Sequence, residues 1–263
     1  ESITSLWLVC YDATGTFLRK QDCTSAYTAA PADKDGYRKI NMNLPKGTET
    51  VHLVANVPGL TEEQAADLDA MKDINPDLSK PICWGKATLS KLMKDSKISL
   101  TRQCAKITCT VDAAVRDFEI TDLHVWHSAS KGSIAPAKYE ESTNENLAET
   151  TDLMDDTKPI AGGSAAVVAV NETSAGKADI IIKAKYKGTE GFYKVALYYK
   201  KDDGKTAQYA LVRNHNYIVK VKSVNDAGYA TEAEALKAEP ENRLKVTVVD
   251  DNPEIVDMIA CKD

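Results

Sequence analysis

The chain lacks the features that mark several function classes. None of its 263 residues falls in an apolar run near the ~20 that a membrane-spanning helix needs. There is no basic excess. Lys+Arg number 33 against 39 Asp+Glu, a net charge of −6, so DNA or RNA is not an expected partner. A polybasic patch for anionic membranes is missing for the same reason. No CxxC pair is present, which removes zinc-ribbon and thioredoxin-type sites. No HExxH, HxH, GxGxxG or P-loop sequence occurs, so zinc proteases and nucleotide cofactors lack their motifs. Aromatics are scarce, with three Trp, eleven Tyr and three Phe, and packing claims most of them. With no leader visible at Glu1, the chain is expected to be soluble, or a mature form whose targeting segment has been removed.

What is present is a period of two. Ile180, Ile182, Ala184 and Tyr186 alternate with Ile181, Lys183, Lys185 and Lys187. Tyr193, Val195, Leu197 and Tyr199 form one face of a next strand, followed by an Asp203-Gly204 hairpin turn. Tyr217, Val219 and Val221 alternate with Lys220 and Lys222, and Leu244, Val246 and Val248 repeat the pattern. Lysines on the outer positions predict antiparallel sheets with one wet side. Segments 3–11, 38–44, 50–56 and 97–101 are further strand candidates, with a turn at Lys46-Gly47. Helix signals are few. Thr61 with Gln64 has capping-box spacing ahead of a helix to about Lys72, and Thr231 with Glu234 is a second box, stopped by Pro240. Residues 128–178 read mainly as long polar loops. The chain is therefore expected to be all-β, with two antiparallel sandwich domains at 1–102 and 103–263.

Candidate chemistry is thin. His124 and His127 sit three apart, so on a strand they face opposite ways and would not share a metal. The strand 122–127 would turn Leu123 and Val125 inward. Gly162-Gly163-Ser164 is not a nucleophile elbow. Asp155-Asp156, Asp202-Asp203 and Asp250-Asp251 are adjacent pairs, which diverge in turns. The acidic stretch from Asn144 to Asp156 lacks the spacing and central glycine of a calcium loop. Of the six cysteines, Cys10, Cys23, Cys83, Cys104, Cys109 and Cys261, most are expected to be buried free thiols. In "LVRNHNYIVKVKSV", Arg213, His215 and Tyr217 share a face with Val219 and Val221 if the strand is regular. His215 then sits hydrogen-bonded at the rim of a core, with Asn214 and Asn216 serving backbone groups where the strand begins. No cofactor, metal or catalytic residue is expected.

Four segments resemble one family in order and spacing. "RNHNY" followed by "IVKVKSV", "GY" and "TEAEA" resembles the C-terminal domain of fimbrillins, the type V pilins of Gram-negative anaerobes. "SITSLWLVCYDATGTF" is similar to their first mature strand. "TVHLVANVPGL" is similar to an apolar strand ending in Ala-Asn, here Ala55 and Asn56. "LTRQCAKITCTV" is similar to the start of their second domain, with Arg102, Ala105 and Lys106 in place. The likeness spans residue 3 to about residue 249. It implies transthyretin-like sandwiches, a lipoprotein precursor anchored to the outer membrane, and removal of an N-terminal strand by an arginine-directed protease, upstream of Glu1. It implies other pilin subunits as partners, joined by strand addition.

The donor candidate is the tail 252–263. Ile255, Asp257, Ile259 and Cys261 alternate there with Val256, Met258 and Ala260, an apolar set suited to a groove, and Pro253 sets it off. The same tail could instead close its own domain as a last strand. It lacks the tryptophan of many shaft subunits, and tip subunits lack a donor tail. A fimbrial tip, or a surface lipoprotein binding glycan or protein, is the other expectation. Exposed rings at Trp84, Trp126, or Tyr198 and Tyr199 would mark it.

Overall fold

The computed structural model describes residues 3–34, 37–70, 72–136, 159–162, 166–251 and, by backbone alone, 257–262. The first group of strands comprises β1 (Leu6–Tyr11), β2 (Phe17–Asp22), β3 (Arg38–Asn41), β4 (Thr50–Ala55), β5 (Cys83–Thr88) and β6 (Lys97–Arg102). Three short helices interrupt them: α1 (Thr24–Ala29), α2 (Glu62–Ala66) and α3 (Leu89–Asp95). The second group comprises β7 (Ala105–Val111), β8 (Phe118–Trp126), β9 (Ile160–Ala161), β10 (Val167–Val170), β11 (Asp179–Tyr186), β12 (Thr189–Val195), β13 (Tyr198–Lys200), β14 (Thr206–Gln208), β15 (Asn216–Val224) and β16 (Leu244–Asp251), with α4 (Glu232–Lys237). The last strand, β17 (Asp257–Lys262), returns to the first group.

The first sheet runs β2-β1-β4-β5-β6-β17-β3 and folds over on itself. One buried cluster shows this. It holds Leu6, Leu8 and Cys10 of β1, Val51, Leu53 and Ala55 of β4, Cys83 and Ala87 of β5, and also Ile98 and Leu100 of β6 and Ile40 of β3. The alternation in β1 and β4 sends these side chains to one face. The opposite positions Val9, Tyr11, Val54 and Trp84 meet Leu60, Ala65, Leu68 and Ile134 in a second cluster. The bend passes Gly85, where an added Cβ would stand 2.1 Å from the Ser99 carbonyl oxygen.

The second group stacks two four-stranded sheets, β10-β7-β15-β16 on β12-β11-β8-β9. Ile107, Leu123, Val125, Ile180, Ile182, Tyr193, Val195, Tyr217, Val219 and Val221 fill the space between them. Leu123 and Val125 point inward as the alternation predicts. Two pairings depart from the antiparallel expectation: β15 runs parallel to β7, and β17 parallel to β3. The outer face is not uniformly wet either. Ile181 is fully buried because α4 lies over it, with Ala235 and Trp126. Close packing here rests on Gly191 and Gly228, whose backbones leave no room for a Cβ.

Local signals hold at both capping boxes and the hairpin. Thr61 Oγ1 accepts from Gln64 N while Gln64 Oε1 accepts from Thr61 N. Thr231 and Glu234 make the same exchange. α2 stops at Ala66, short of Lys72. The strand expected through Tyr199 ends at Val195, and Tyr198–Lys200 pairs instead with Thr206–Gln208 across Gly204. The described cysteines Cys10, Cys23, Cys83, Cys104 and Cys109 are buried free thiols. Burial pushes the Cys109 thiol up to about 12, which keeps it unreactive.

Gly85→Ala is expected to lower stability by about 1–3 kcal/mol, read from the urea midpoint, because backbone rather than a flexible side chain opposes the new methyl. His52 gives a pH signature. Burial first, and then the Lys86 charge, lower its pKa from 6.5 to about 3. Between those values the unfolded chain binds a proton that the folded chain refuses, so acidification through that window costs stability. His52→Gln is expected to flatten the fall of the urea midpoint between pH 6.5 and pH 4.

Candidate assembly site

Among the described residues, β3 has one strand neighbour in its sheet. β17 lies between it and β6. Against β6 the pairing is antiparallel, with Asp257 opposite Leu100, Met258 opposite Ser99, Ile259 opposite Ile98 and Ala260 opposite Lys97. Against β3 it is parallel, with Ile259 opposite Arg38, Ala260 opposite Lys39, Cys261 opposite Ile40 and Lys262 opposite Asn41. Two strand spacings separate β6 from β3, roughly 9–10 Å. Without β17, both would present open rows of N–H and C=O groups, a template for another strand. β3 is otherwise held by its buried Ile40 and by the turn before it. There Arg38 donates to the Ala30 carbonyl, and its guanidinium lies 5.1 Å over the Tyr27 ring. Lys97 of β6 reaches over Tyr37 at 4.1 Å.

The expected donor residues are thus split. Asp257, Met258, Ile259, Ala260 and Cys261 are in β17, and Ile255 and Val256 lie outside the described residues. The tail does not close the sheets of the second group, as one expectation had it. It completes the first sheet of its own chain.

The motif residues from Arg102 onward gather where the two groups of strands meet. β6 ends at Arg102, and Asn214 Oδ1 accepts from both Arg102 N and Arg102 Nη1, at 3.1 and 3.2 Å. Asn214 N donates to Cys104 O, and Lys106 N to His215 O. Ala105 starts β7 fully buried. Asn214 has a φ of +64°, a left-handed turn that asparagine tolerates. That turn overturns one expectation. β15 begins at Asn216, so Arg213 does not share a face with Tyr217 and Val219. Arg213 points instead into the junction, 1% exposed. Its Nη2 meets Glu172 Oε2 at 2.6 Å and its Nε the same oxygen at 2.8 Å. It also donates to the carbonyls of Ile134 and Ser133 and to the Ser133 hydroxyl.

His215 is at a rim as expected, its Nδ1 2.9 Å from Asp250 Oδ1 and its ring stacked on Tyr217 at 6.0 Å. The Tyr217 hydroxyl accepts from Val212 N, and burial raises its pKa. Asn56, after Ala55, also takes positive φ, +61°. Its side chain accepts from Thr4 N and donates to Pro81 O, joining the ends of β1 and β5.

Sequence reading missed Glu172, Ser133 and the Gln103–Asn171 bond of 2.9 Å at the same junction. The available signal was a lone acidic residue two positions after the apolar run from Val167 to Val170. His124 is held between Asp122 and Glu232, at 3.1 and 2.6 Å, and Trp126 Nε1 also donates to Glu232. Trp84 and Trp126 are buried, and Tyr198 is 40% exposed.

No family model matches the chain, and no curated protein matches it in sequence. Solved structures do match. A candidate cell adhesion protein from Bacteroides eggerthii superposes with a TM-score of 0.56 at 14% identity, over 99% of this chain and 91% of that one. The tip fimbrial protein Mfa3 of Porphyromonas gingivalis, with a C-terminal truncation, gives 0.55 at 10% identity over 95% of each chain. A fimbrial assembly protein of Parabacteroides distasonis gives 0.51 at 13%, over 95% of this chain and 91% of that one. The chain shares its fold with fimbrial proteins. The resemblance drawn from its residues and the resemblance of its fold agree. In this fold the paired Arg213 and Glu172 sit out of water, where either charge alone is costly. Glu172→Gln is expected to cost about 3–5 kcal/mol, measured by urea unfolding, and the double change Arg213→Met with Glu172→Leu to recover part of that loss.

Proposed function

We propose that the chain is a structural subunit of a cell-surface fimbria and supports adhesion without catalysis. Subunits join head to tail, with residues 257–262 of one copy entering between β6 and β3 of the next. The observation that carries this reading is the place of β17: a strand from the far end of the chain is the strand that joins β3 to its sheet among the described residues. A strand from another copy would make the same backbone bonds in the same register. Exchange then conserves the pairing, and the linker decides between closure and chain growth. Residues 1–102 and 103–263 serve as the two domains, with the tail returning to the first. The precursor is lipid-anchored to the outer membrane, exported, and trimmed before assembly.

A second reading is a terminal subunit, a fimbrial tip or a surface protein binding glycan or protein. The self-filled groove favours it, since a chain that closes its own sheet offers no site to a donor. The likeness in fold to a tip fimbrial protein agrees with it.

Both readings are tested by comparing the full chain with one ending at Asn252, by size-exclusion chromatography and negative-stain microscopy. Filaments from the full chain and none from the shortened one would establish the polymerising subunit. A monomeric full chain, with a shortened chain that binds an added peptide of residues 253–263, would establish the self-closed terminal subunit. If the shortened chain is as stable as the full one and ignores the peptide, the groove is not an assembly site.

A further inference from the structure

A cavity of about 320 Å³ opens on the first sheet, away from the β6–β3 groove. Its floor is one face of three adjacent strands. Tyr11 comes from β1, Thr50 and His52 from β4, and Trp84 and Lys86 from β5. The rings of Tyr11 and Trp84 flank His52 at 4.9 and 5.5 Å. Leu68 and Asp69, from the segment after α2, form one wall. Ala135 and Pro136, reaching across from the second group of strands, form another.

Four polar side chains in this lining have no hydrogen-bond or ion-pair partner among the described residues: Thr50, Asp69, Lys86, and the outer nitrogen of His52. The histidine is set by its neighbour. Trp84 Nε1 donates to His52 Nδ1 at 3.2 Å. Nδ1 therefore carries the lone pair, and the proton of the neutral ring sits on Nε2. With a pKa near 3, set by burial, the ring stays neutral at ordinary pH and keeps that donor. The cavity thus offers a neutral N–H, an ammonium, a hydroxyl and a carboxylate around an apolar side of Leu68, Ala135 and Pro136. Sites of this size with a few convergent polar groups are typical of small-ligand pockets.

We infer that this cavity is a binding site for one neutral pyranose ring of a glycan. A pyranose has an apolar C–H side and a rim of hydroxyls that both donate and accept. Asp69 accepts from hydroxyls, His52 Nε2–H and Lys86 donate to them, and Thr50 does either. One acid and one base leave the lining without net charge, which disfavours an anionic or cationic ligand relative to a neutral one. The site stands apart from the strand groove, so it holds whether the chain polymerises or caps. If the chain acts as a tip or surface binding protein, this is where its glycan would sit.

The test uses the full chain and four probes: the methyl glycosides of D-glucose, D-galactose, D-mannose and N-acetyl-D-glucosamine, with glycine as a zwitterionic control. Binding is followed by saturation-transfer NMR and by Trp fluorescence. One glycoside is expected to bind with a dissociation constant of about 1 mM, the range for a ligand of a dozen heavy atoms. Asp69→Asn and Lys86→Ala are each expected to weaken it about tenfold. Both residues are exposed and unpaired among the described residues, so the folded state should be kept, which thermal melting checks. Tyr198→Ala, on the distant hairpin, should leave binding unchanged. The inference is overturned if no glycoside binds, if binding survives both substitutions, or if glycine binds and the glycosides do not.

Discussion

The structure depends on closing one gap in a β-sheet. β6 and β3 stand one strand apart, and β17 pairs with both. Sheet backbone groups need partners, and an unmade hydrogen bond costs more than a made one gains. Here the partner comes from the opposite end of the chain. Everything from β7 to β16 is therefore an excursion between two neighbouring antiparallel strands, β6 and β17. The second group of strands hangs from the first by these two adjacent connections. Such pairing is strongly non-local, and contacts of that kind slow folding.

Where the excursion leaves β6, polar side chains hold the angle. Asn214 caps the end of β6 through Arg102, and Gln103 bonds Asn171. Arg213 uses its guanidinium on Glu172, Ser133 and Ile134 at once. Apolar contact would tolerate sliding, but directional bonds in a buried site do not. This cluster contains ionisable groups in close contact, yet it has the form of a joint. Each guanidinium nitrogen of the arginine donates to the protein, and the carboxylate faces its cation.

The glycan-site lining is the converse. Trp84 spends its N–H on His52, and that bond passes a donor outward to a cavity where Thr50, Asp69 and Lys86 also stand unpaired among the described residues. A spent network builds architecture, and an unspent one is available to a ligand. The two clusters differ in burial and in whether their bonds are closed within the chain: Arg213 and Glu172 are buried and paired, while Asp69 and Lys86 are exposed.

Sequence alone determined the class of the fold. Period-two runs gave the strands, and the Thr61 and Thr231 boxes and the Asp203-Gly204 turn gave their punctuation. These signals are local, and each is satisfied by residues within a few positions of each other. It also brought Arg102, Asn214 and His215 forward as a related set, through resemblance to a family. Tertiary structure decided the rest. A positive φ at Asn214 sent Arg213 out of the strand, which period two could not register. α4 covered Ile181, which alternation had placed toward water. Above all, the alternation of the tail marked it as a strand but not its destination. Which sheet it joins is fixed by a vacancy between β6 and β3, and a vacancy exists only once the other strands have been placed.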